Sequence, residues 1–367
     1  MLHEKTVAVV VPAYNEESQI HLVIDSMPAY VDRIIIVNDA SKDMTLEKVK
    51  AYFNTPHNQT DLVLTSNLEA DINRTIYNPA DIIVQEENRK ELAYFTRHEV
   101  LNDKPNKERI ILINHIDNGG VGAAIATGYK WCKDHDIDCT AVMAGDGQMD
   151  PDELASICLP VITEGIDYVK GNRLIHRSAA ILIPKVRYFG NSILSILTKI
   201  ASGYWRVSDT QTGYTAISKP ALNAIRLYDI YKRYGMPNDM LVKLNMAYCT
   251  LREVEIKPIY NVGEQSKMKV LKVIPKISWL LVKSFFKRLW IKYLFRDFHP
   301  LFIFYNLSFI LGLISIPYAF KILRIALSGN DVNPVTLLVF VFLFISSFQS
   351  LLFAMWMDML DSERLYK

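Results

Sequence analysis

Two apolar stretches near the carboxyl terminus limit what this chain can fold into. Residues 301–320 and residues 335–357 contain no charged side chain. A transmembrane helix needs about 20 predominantly apolar residues, so each stretch is long enough to cross a bilayer. The sequence therefore predicts a membrane protein with two spans, which are too few in one chain to enclose a pore.

The segment before the first span is basic and aromatic. Residues 267–296 contain nine lysines or arginines among aromatic side chains such as Trp279 and Trp290. Basic amphipathic helices with aromatics lie in the membrane interface, and the spans that follow favour this interpretation over nucleic-acid binding. The loop between the spans has only Lys321 and Arg324 as basic residues. This bias predicts a multi-pass protein of the inner (cytoplasmic) cell membrane, with the N-terminal domain and the short tail in the cytoplasm.

Other features of the composition exclude some classes of protein. Four cysteines show no CxxC pair and no disulfide-scaffold spacing, which indicates buried, reduced thiols. The apolar run at residues 7–11 is short and ends at Pro12, so it does not read as a secretory signal. The net charge of +2 is too small to indicate a partner by itself, and no nucleic-acid partner is expected.

The N-terminal part has the pattern of an α/β domain with a mostly parallel sheet. Residues 7–11 and 33–37 are β-branched runs, typical of strands that are buried on both faces. Each ends in a polar turn that leads to a helix, which makes a βαβ unit. Further strands are predicted at residues 109–115, 141–144, 167–173 and 252–257, with a short one after residue 214.

The turn after the strand at residues 141–144 is the leading candidate for a functional site. Gly145 and Gly147 allow a ligand to approach the backbone closely, and Asp146, Gln148 and Asp150 supply oxygen ligands. Open α/β sheets bind ligands beyond the carboxyl ends of their strands. Carboxylate and amide oxygens suit Mg²⁺ or Mn²⁺, which would hold a diphosphate. Capping of the next helix explains Asp150 better, whereas Asp146 and Gln148 have no capping duty.

Other polar turns carry further candidates. Tyr14 could stack on a nucleobase while Glu16 and Asp39 accept hydrogen bonds from a base or ribose, although an N-cap explains Asp39 or Asp43 equally well. A glycine-rich turn at residues 118–128 offers backbone N–H groups to a phosphate, and tight strand–helix packing explains it nearly as well.

Residues 54–107 are polar and weakly periodic. A structureless loop of this length is uncommon in a compact domain. We expect an inserted subdomain or a mobile cover near the site, with a role that the sequence does not reveal.

Four motifs, in this order, resemble those of family 2 glycosyltransferases, which have the GT-A fold. They lie at residues 9–16, 36–43, 118–122 and 145–148. Within that family the chain looks most like dolichol-phosphate mannose synthases and bacterial polyprenyl-phosphate glycosyltransferases. The resemblance covers residues 5–260 apart from the insertion, and the paired C-terminal spans also fit.

The resemblance implies a hexosyltransferase that moves one sugar, with inversion, from a UDP- or GDP-linked donor to undecaprenyl or dolichyl phosphate at the cytoplasmic face. It implies a nucleotide site at Pro12, Tyr14, Glu16, Asp39 and Asp146, a metal site for Mg²⁺ or Mn²⁺ at Asp146 and Gln148, an acceptor-phosphate site at Arg173, Arg187 and Asn191, and catalytic roles for Asp146, Arg173 and Asp209. A homo-oligomer is compatible with the resemblance.

The chain departs from the family pattern at Ala144, where the DxD motif has an aspartate. Metal binding would then rest on Asp146, Gln148, the donor phosphates and water, with help from Asp150. Asn38 in place of a more usual Asp is a milder change. Since one carboxylate is missing, a membrane-tethered nucleotide-sugar binding protein without turnover is an alternative.

The acceptor also has an alternative. A phosphate is already anionic near neutral pH and needs no strong general base, whereas the hydroxyl of a lipid-linked saccharide, as in capsule or O-antigen assembly, would need one. Asp209 and Asp239 are the candidates for that base. Arginines suit a phosphate because their planar fork pairs with two of its oxygens.

These features predict the domain organisation. The expected units are a cytoplasmic catalytic domain at residues 1–265 containing the insertion at 54–107, interfacial helices at 266–299, two transmembrane helices at 300–358 and a cytoplasmic tail at 359–367.

Overall fold

An eight-stranded mixed sheet organises the N-terminal part of the chain. The computed structural model describes residues 1–68, 74–182, 185–259 and 270–367. The strands are β1 (Val7–Ala13), β2 (Arg33–Asn38), β3 (His98–Val100), β4 (Ile110–His115), β5 (Cys139–Val142), β6 (Tyr168–Asn172), β7 (Thr215–Ser218) and β8 (Leu251–Glu255). Their spatial order is β3-β4-β2-β1-β5-β7-β6-β8.

Helices pack on both faces of this sheet and then continue beyond it. They are α1 (Ile20–Asp25), α2 (Thr45–Lys50), α3 (Pro79–Glu91), α4 (Val121–Asp134), α5 (Leu154–Thr163), α6 (Ala179–Leu182), α7 (Lys185–Ser202), α8 (Lys219–Ala224), α9 (Met236–Met246), α10 (Val270–Trp290), a π-helical turn (Ile291–Arg296), α11 (Pro300–Leu327) and α12 (Pro334–Glu363). Short 3₁₀ turns lie at Pro56–Asn58, Leu92–Tyr94, Pro151–Glu153 and Leu227–Asp229.

The predicted parallel strands are confirmed, with burial on both faces as the reason. Along β1, Val7, Val9 and Val11 belong to one hydrophobic core while Ala8 and Val10 belong to the core on the other face. A strand in this position has no solvent side, so a continuous apolar run replaces the alternation of a half-exposed strand. β4, β2, β1 and β5 are parallel to one another.

Two strand predictions need correction. The strand predicted at residues 141–144 is β5 at Cys139–Val142, because the apolar run continues past the residues that pair with β1. β3 lies inside the segment 54–107, where no strand was predicted, and pairs antiparallel with β4. Its three residues are polar or exposed, so it carries no buried-strand signal.

The chain order creates a crevice beside β1. β1 pairs with β2 on one side and with β5 on the other, because the chain runs outward to β4 before it returns. This reversal is a topological switch point, where open α/β sheets bind ligands beyond the carboxyl ends of the strands. The loops after β1, β2 and β5 therefore meet at one edge of the sheet.

The two predicted apolar spans are helices α11 and α12. Their most apolar windows are only 22% and 11% buried within the protein, which distinguishes them from the core helices of a soluble domain. They form an antiparallel hairpin in which Ser347 Oγ donates to the carbonyl of Ser308 (2.9 Å). The preceding helix α10 is amphipathic: Leu281 and Phe285 are buried whereas Trp279 is 72% exposed.

Both ends of this hairpin lie against the α/β domain. After α12 the chain forms a β-bridge with the start of β8, where the Leu251 N–H donates to Leu365 O (2.7 Å) and the Lys367 N–H donates to Leu251 O (3.0 Å). Arg288 of α10 and Asp358 of α12 form a buried ion pair (2.7 Å). The α/β domain and the tail therefore lie on the same side of the hairpin.

Candidate active site

The loops that follow β1 and β2 are held together by side-chain hydrogen bonds. The Glu16 N–H donates to Thr45 Oγ1 (2.9 Å), and Asp43 accepts from the Thr45 hydroxyl (2.6 Å) and from the Glu17 N–H (3.1 Å). Asp43 therefore links the two loops and does more than cap a helix. Tyr14 and Glu16, two residues of the predicted nucleotide site, lie half-buried at this edge.

Asp39 lies at the end of β2 and is 3% exposed. Its carboxylate accepts from the N–H groups of Gly119 (2.7 Å) and Gly120 (2.8 Å), and His115 Nδ1 lies 2.8 Å from Oδ1. Burial raises the pKa of Asp39, but the hydrogen bonds from His115 and the two glycines outweigh it and hold the pKa below its usual value. Asp39, a residue of the predicted nucleotide site, is thus ionised and stabilises the glycine-rich turn by hydrogen bonds.

Four N–H groups of the glycine-rich turn are engaged within the protein, which favours the packing explanation over phosphate binding. Gly119 and Gly120 donate to Asp39, and the N–H groups of Gly122 and Ala123 donate to Lys232 O (2.9 and 3.3 Å). The glycines are needed for packing. Gly120 has φ = 90°, and a Cβ there would collide with the Lys232 carbonyl oxygen.

The turn after β5 brings Asp146 to the crevice. The Gly145 N–H donates to Pro12 O (3.2 Å), which joins this turn to the end of β1. Gly147 has φ = 71°, and Asp146 Oδ1 accepts from the Gln148 N–H (3.1 Å). The side chains of Asp146 and Gln148 are half-buried, so a ligand in the crevice can reach them.

Asp150 is committed elsewhere, so the expectation that it helps to bind a metal is corrected. Its Oδ1 accepts from the Asp152 N–H (3.0 Å), which is the predicted N-cap, and its Oδ2 pairs with Lys257 Nζ (3.2 Å). Tyr214 donates its hydroxyl hydrogen to the Asp150 carbonyl (2.8 Å).

The remaining donor set fits a metal that arrives with its phosphates. Among the described residues no group of three or more His, Cys, Asp and Glu side chains is arranged to hold a metal ion. Asp146 and Gln148 supply one carboxylate and one amide, since Ala144 has no oxygen in its side chain. Mg²⁺ is commonly bound by one or two carboxylates together with substrate phosphates and water, which is what this set can provide.

Arg173 and Asp209, predicted from separate motifs, form one bidentate pair. Arg173 Nε donates to Asp209 Oδ2 (2.8 Å) and Nη2 donates to Oδ1 (3.0 Å). Burial raises the pKa of Asp209, but the Arg173 charge and its hydrogen bonds, followed by Lys170, outweigh it and lower the pKa. Arg173 remains 24% exposed and Asp209 only 2%.

The acid-bearing loop at residues 205–214 is fastened to β8 and β6. Glu253 accepts from the N–H groups of Ser208 (3.0 Å) and Asp209 (3.0 Å). Lys170 is fully buried and donates to the Thr212 carbonyl. Burial lowers the pKa of Lys170 to about 8, opposed by the carboxylates of Asp209 and Glu253. The loop is therefore held from both sides.

The other predicted residues differ in what the structure shows. Arg187 and Asn191 are positions of α7, but their side chains lie outside the described ones. Asp239 is 5% exposed, pairs with Lys243 (2.5 Å) and accepts from the Tyr231 N–H (2.9 Å).

Comparison with known proteins identifies the domain. Residues 8–76, which contain β1, β2 and the loops with Tyr14, Glu16 and Asp39, match Glycosyl transferase family 2. The chain carries a family 2 glycosyltransferase domain. The resemblance and the enzyme class that were predicted from its motifs are thus confirmed, which argues against a binding protein without turnover.

Two archaeal relatives extend the similarity of this glycosyltransferase. It is 29% identical over 259 residues, 70% of its length and 87% of the relative's, to UDP-N-acetylglucosamine–dolichyl-phosphate N-acetylglucosaminyltransferase of Methanococcus voltae. It is 31% identical over 162 residues, 44% of its length and 66% of the relative's, to an uncharacterized protein of Methanocaldococcus jannaschii. Together with the exposed apolar helices α11 and α12, the first relative supports membrane association.

The similarity to solved structures is weaker than the similarity to these relatives. Glucosyl-3-phosphoglycerate synthase from Mycobacterium tuberculosis, in complex with Mn²⁺, UDP and glucosyl-3-phosphoglycerate, is 16% identical with a TM-score of 0.46, over 78% of this chain and 80% of that one. The mostly parallel mixed sheet predicted for the glycosyltransferase is confirmed by the strand pairing, and two candidate membrane helices follow it.

Three residues with large structural roles were not singled out from the sequence of this glycosyltransferase. His115, Lys170 and Glu253 lie inside or beside strands and form their contacts with loops 42 to 76 residues away. Glu253 lies in an alternating pattern and His115 at the end of an apolar run. Their local patterns predict the strands correctly and carry no signal for the loops that they hold.

Proposed function

We propose that this glycosyltransferase transfers a single sugar, with inversion, from a nucleotide-diphosphate sugar to a polyprenyl phosphate such as undecaprenyl or dolichyl phosphate. The transfer takes place at the cytoplasmic face of the inner membrane and gives a polyprenyl-phosphate sugar. Because the Methanococcus voltae relative is a UDP-N-acetylglucosamine–dolichyl-phosphate N-acetylglucosaminyltransferase, UDP-N-acetylglucosamine is the first donor to test.

One observation supports this acceptor over a sugar hydroxyl: both candidate bases are already engaged. Asp209 accepts two hydrogen bonds from the Arg173 guanidinium in a site where only 2% of the Asp209 side chain is exposed. Asp239 is paired with Lys243 and holds the Tyr231 N–H. A general base needs room and a pKa near the working pH, whereas Asp209 is buried in an ion pair that lowers its pKa, and Asp239 is buried with its carboxylate paired to Lys243. A phosphate acceptor does not need that base.

The directions of the strands support this division into a donor site and an acceptor site. β6 is antiparallel to β7, and β7 is antiparallel to β5, so β5 and β6 run in the same direction. Asp146 follows β5 and Arg173 follows β6, so both lie at the carboxyl edge. The donor diphosphate would lie at Asp146 and the acceptor phosphate at Arg173, in line behind the anomeric carbon, where positioning supplies most of the rate enhancement.

The residues would divide the work as follows. Tyr14, Glu16 and Asp39 bind the nucleoside, and Pro12 shapes the end of β1. Asp146 and Gln148 hold Mg²⁺ or Mn²⁺ with the diphosphate, and this ion neutralises charge on the departing nucleoside diphosphate. Arg173, whose guanidinium is oriented by its pair with Asp209, would contact the acceptor phosphate with the partly exposed part of its side chain. Arg187 and Asn191 on α7 complete the proposed acceptor site.

The arrangement of the hairpin supports the proposed topology. The α/β domain and the tail lie on the side of the hairpin where the basic helix α10 is found, while the connection between α11 and α12 lies at its other end. Because basic residues near membrane spans are retained on the cytoplasmic side, the α/β domain and the tail would lie in the cytoplasm.

The test is a transfer assay with the purified full chain. Labelled UDP- and GDP-sugars are offered together with undecaprenyl or dolichyl phosphate, with Mg²⁺ or Mn²⁺ and with a chelator. We expect a chloroform-soluble labelled product from one donor, lost with the chelator and in Asp146→Asn. Asp136→Asn is the matched control, because Asp136 forms an exposed ion pair with Lys219 outside the site.

A different product would redirect the assignment. If no donor labels polyprenyl phosphate while a lipid-diphosphate sugar accepts label, the acceptor is a hydroxyl and the proposed function is wrong. Base activity would then have to be sought among the remaining acids of the carboxyl edge.

A further inference from the structure

A cavity of about 860 Å³ lies outside the candidate active site. We name it the Tyr248 cavity, and it is lined by Tyr248, Arg296, Asp297, His299, Asp361, Arg364 and Leu365. These residues come from the end of α9, the π-helical turn, the start of α11 and the end of α12.

The Tyr248 cavity lies at the opposite edge of the sheet from Asp146. β8 is parallel to β6, and β6 runs in the same direction as β5. Tyr248 comes just before β8 begins at Leu251, so it lies at the amino edge, whereas Asp146 follows the carboxyl end of β5. A ligand in this cavity is therefore neither the sugar donor nor an acceptor phosphate in position to react.

Three cations gather around one aromatic ring in this cavity. Lys292 Nζ lies 4.8 Å from the centroid of the Tyr248 ring, and the guanidinium carbons of Arg296 and Arg364 lie 5.1 and 5.8 Å from it. Tyr248 adopts φ = 58°, which is unusual for a bulky side chain. The backbone conformation thus places the ring where the three cations meet.

The two carboxylates beside these cations are already engaged. Asp361 accepts from Lys292 Nζ (2.9 Å) and from Arg364 Nη2 (2.8 Å), and Asp297 accepts from the Tyr248 hydroxyl. Arg296 and Arg364 balance the two lining carboxylates, and the buried Lys292 behind the Tyr248 ring adds one further positive charge.

Several donors at the cavity remain available to a ligand. Within the described residues, Nε and Nη2 of Arg296 and Nη1 of Arg364 make no hydrogen bond. His299 Nδ1 accepts from the Leu301 N–H (3.2 Å), which places the ring hydrogen on Nε2 as another donor. Guanidinium and imidazole N–H groups that converge in this way suit a phosphate.

The surroundings of the cavity are apolar in a way that suits a lipid better than a free phosphate. His299 is the N-cap of α11 and Arg364 is the C-cap of α12, so the cavity lies where both apolar helices end. Phe295 and Phe298 are 77% and 70% exposed beside it. Aromatic side chains at this level contact acyl chains, while basic pockets between membrane helices bind anionic headgroups.

We propose that the Tyr248 cavity binds the phosphate headgroup of an anionic membrane lipid. The headgroup contacts Arg296, Arg364 and His299, and its acyl chains run past Phe295 and Phe298. This site does not depend on the sugar-transfer reaction proposed above.

The test measures lipid retention by the full chain in detergent. Phosphatidylglycerol, phosphatidylcholine or inorganic phosphate is added, and bound molecules are counted by native mass spectrometry. We expect one tightly retained phosphatidylglycerol, little phosphatidylcholine, and weakening on the order of tenfold or more in Arg296→Gln/Arg364→Gln. Lysine at both positions keeps the charge without the fork and should restore part of the affinity.

The matched control removes two charges from the same membrane-facing region. Lys276 and Lys283 are exposed on α10 and do not line the cavity. Lys276→Gln/Lys283→Gln should therefore retain the lipid as the unaltered chain does. Equal weakening in both double variants would show general surface attraction and overturn the proposal. Displacement of the lipid by inorganic phosphate at equal concentration would overturn the lipid assignment. Thermal unfolding of each variant confirms that it is folded.

Discussion

The pair between Arg173 and Asp209 allows the proposed mechanism to be tested with one substitution, Asp209→Asn. Asp209 Oδ2 accepts from the Arg173 N–H and Nε, while Oδ1 accepts from Arg173 Nη2 and from the N–H groups of Gln211 and Thr212. In either orientation, the NH₂ group of asparagine would face at least two donors. The substitution therefore removes hydrogen bonds as well as the charge that offsets Arg173 and Lys170.

The expected loss of stability follows from burial. Removing one partner of a buried ion pair costs about 3–5 kcal/mol, because the other charge is left without compensation. Since Arg173 is 24% exposed, water reduces this cost, and we expect the lower end, about 3 kcal/mol. For a domain of this size that corresponds to a fall in Tm of roughly 6–12 °C. Thermal unfolding in detergent measures it.

The pair also predicts a pH dependence. The pKa of Asp209 is lower in the folded chain than in the unfolded chain, so the pair stabilises the fold fully above the unfolded pKa of about 3.9. That stabilisation is lost as the pH falls through the folded pKa. Asp209→Asn should accordingly show a smaller loss of stability on acidification than the unaltered chain.

A double-mutant cycle separates a positioning role of Asp209 from that of a general base. If Asp209 serves to hold Arg173, then Arg173→Gln/Asp209→Asn should be more stable than the sum of the single losses predicts, by about 0.5–3 kcal/mol. The exposed acid Asp136, changed to Asn, should stay within about 0.5 kcal/mol of the unaltered chain. Additive losses, or a pH–rate profile that loses its acidic limb only in Asp209→Asn, would refute the argument.

Three further outcomes follow from the structure. Ala144→Asp supplies the missing carboxylate beside Asp146, so less Mn²⁺ should be needed for half-maximal binding in the presence of UDP, measured by paramagnetic resonance; an unchanged requirement would contradict the metal assignment. Arg288→Met leaves Asp358 buried and unpaired and should cost about 3–5 kcal/mol in thermal unfolding, whereas Arg288→Met/Asp358→Leu should recover most of it. Lys170 has a folded pKa of about 8, below its unfolded value, so the stability of the chain should rise with pH between about 8 and 10. Lys170→Met should abolish that rise. A rise that persists in the variant would exclude Lys170 as its source.

The sequence predicted those strands and helices that can be recognised from the apolar pattern of their own residues. The β-branched runs of β1 and β2 are buried on both faces, and the uncharged stretches in α11 and α12 are helices, because each pattern follows from the surroundings of a single element. β5 was displaced by two residues, since apolar character continues past its pairing with β1. At the end of β5, buried apolar residues continue beyond the last residue that pairs with β1.

The contacts within the candidate site could not be predicted in the same way. Arg173 and Asp209 lie 36 residues apart, and Asp39 and the glycine-rich turn lie about 80 residues apart. Each was recognised in its own motif, but no local pattern tells which carboxylate will hold another loop and which will remain accessible to a ligand. That outcome depends on the order of the strands, which brings the ends of β2 and β4 together.

The aspartates of this site all lie in polar turns of the sequence, but they differ in the groups that they contact in the structure. These contacts decide which of them can bind a ligand. Asp39 holds the glycine-rich turn, Asp150 caps a helix and Asp209 holds an arginine, so each already neutralises donors of the protein itself. Asp146 also accepts a hydrogen bond, from the Gln148 N–H, but it differs in being half-buried beside the switch point, where a ligand can reach it. A single carboxylate there binds a divalent ion weakly without a diphosphate, because Mg²⁺ and Mn²⁺ need several oxygen ligands. Metal and donor should therefore bind together, because the nucleotide diphosphate supplies oxygen ligands that the protein lacks.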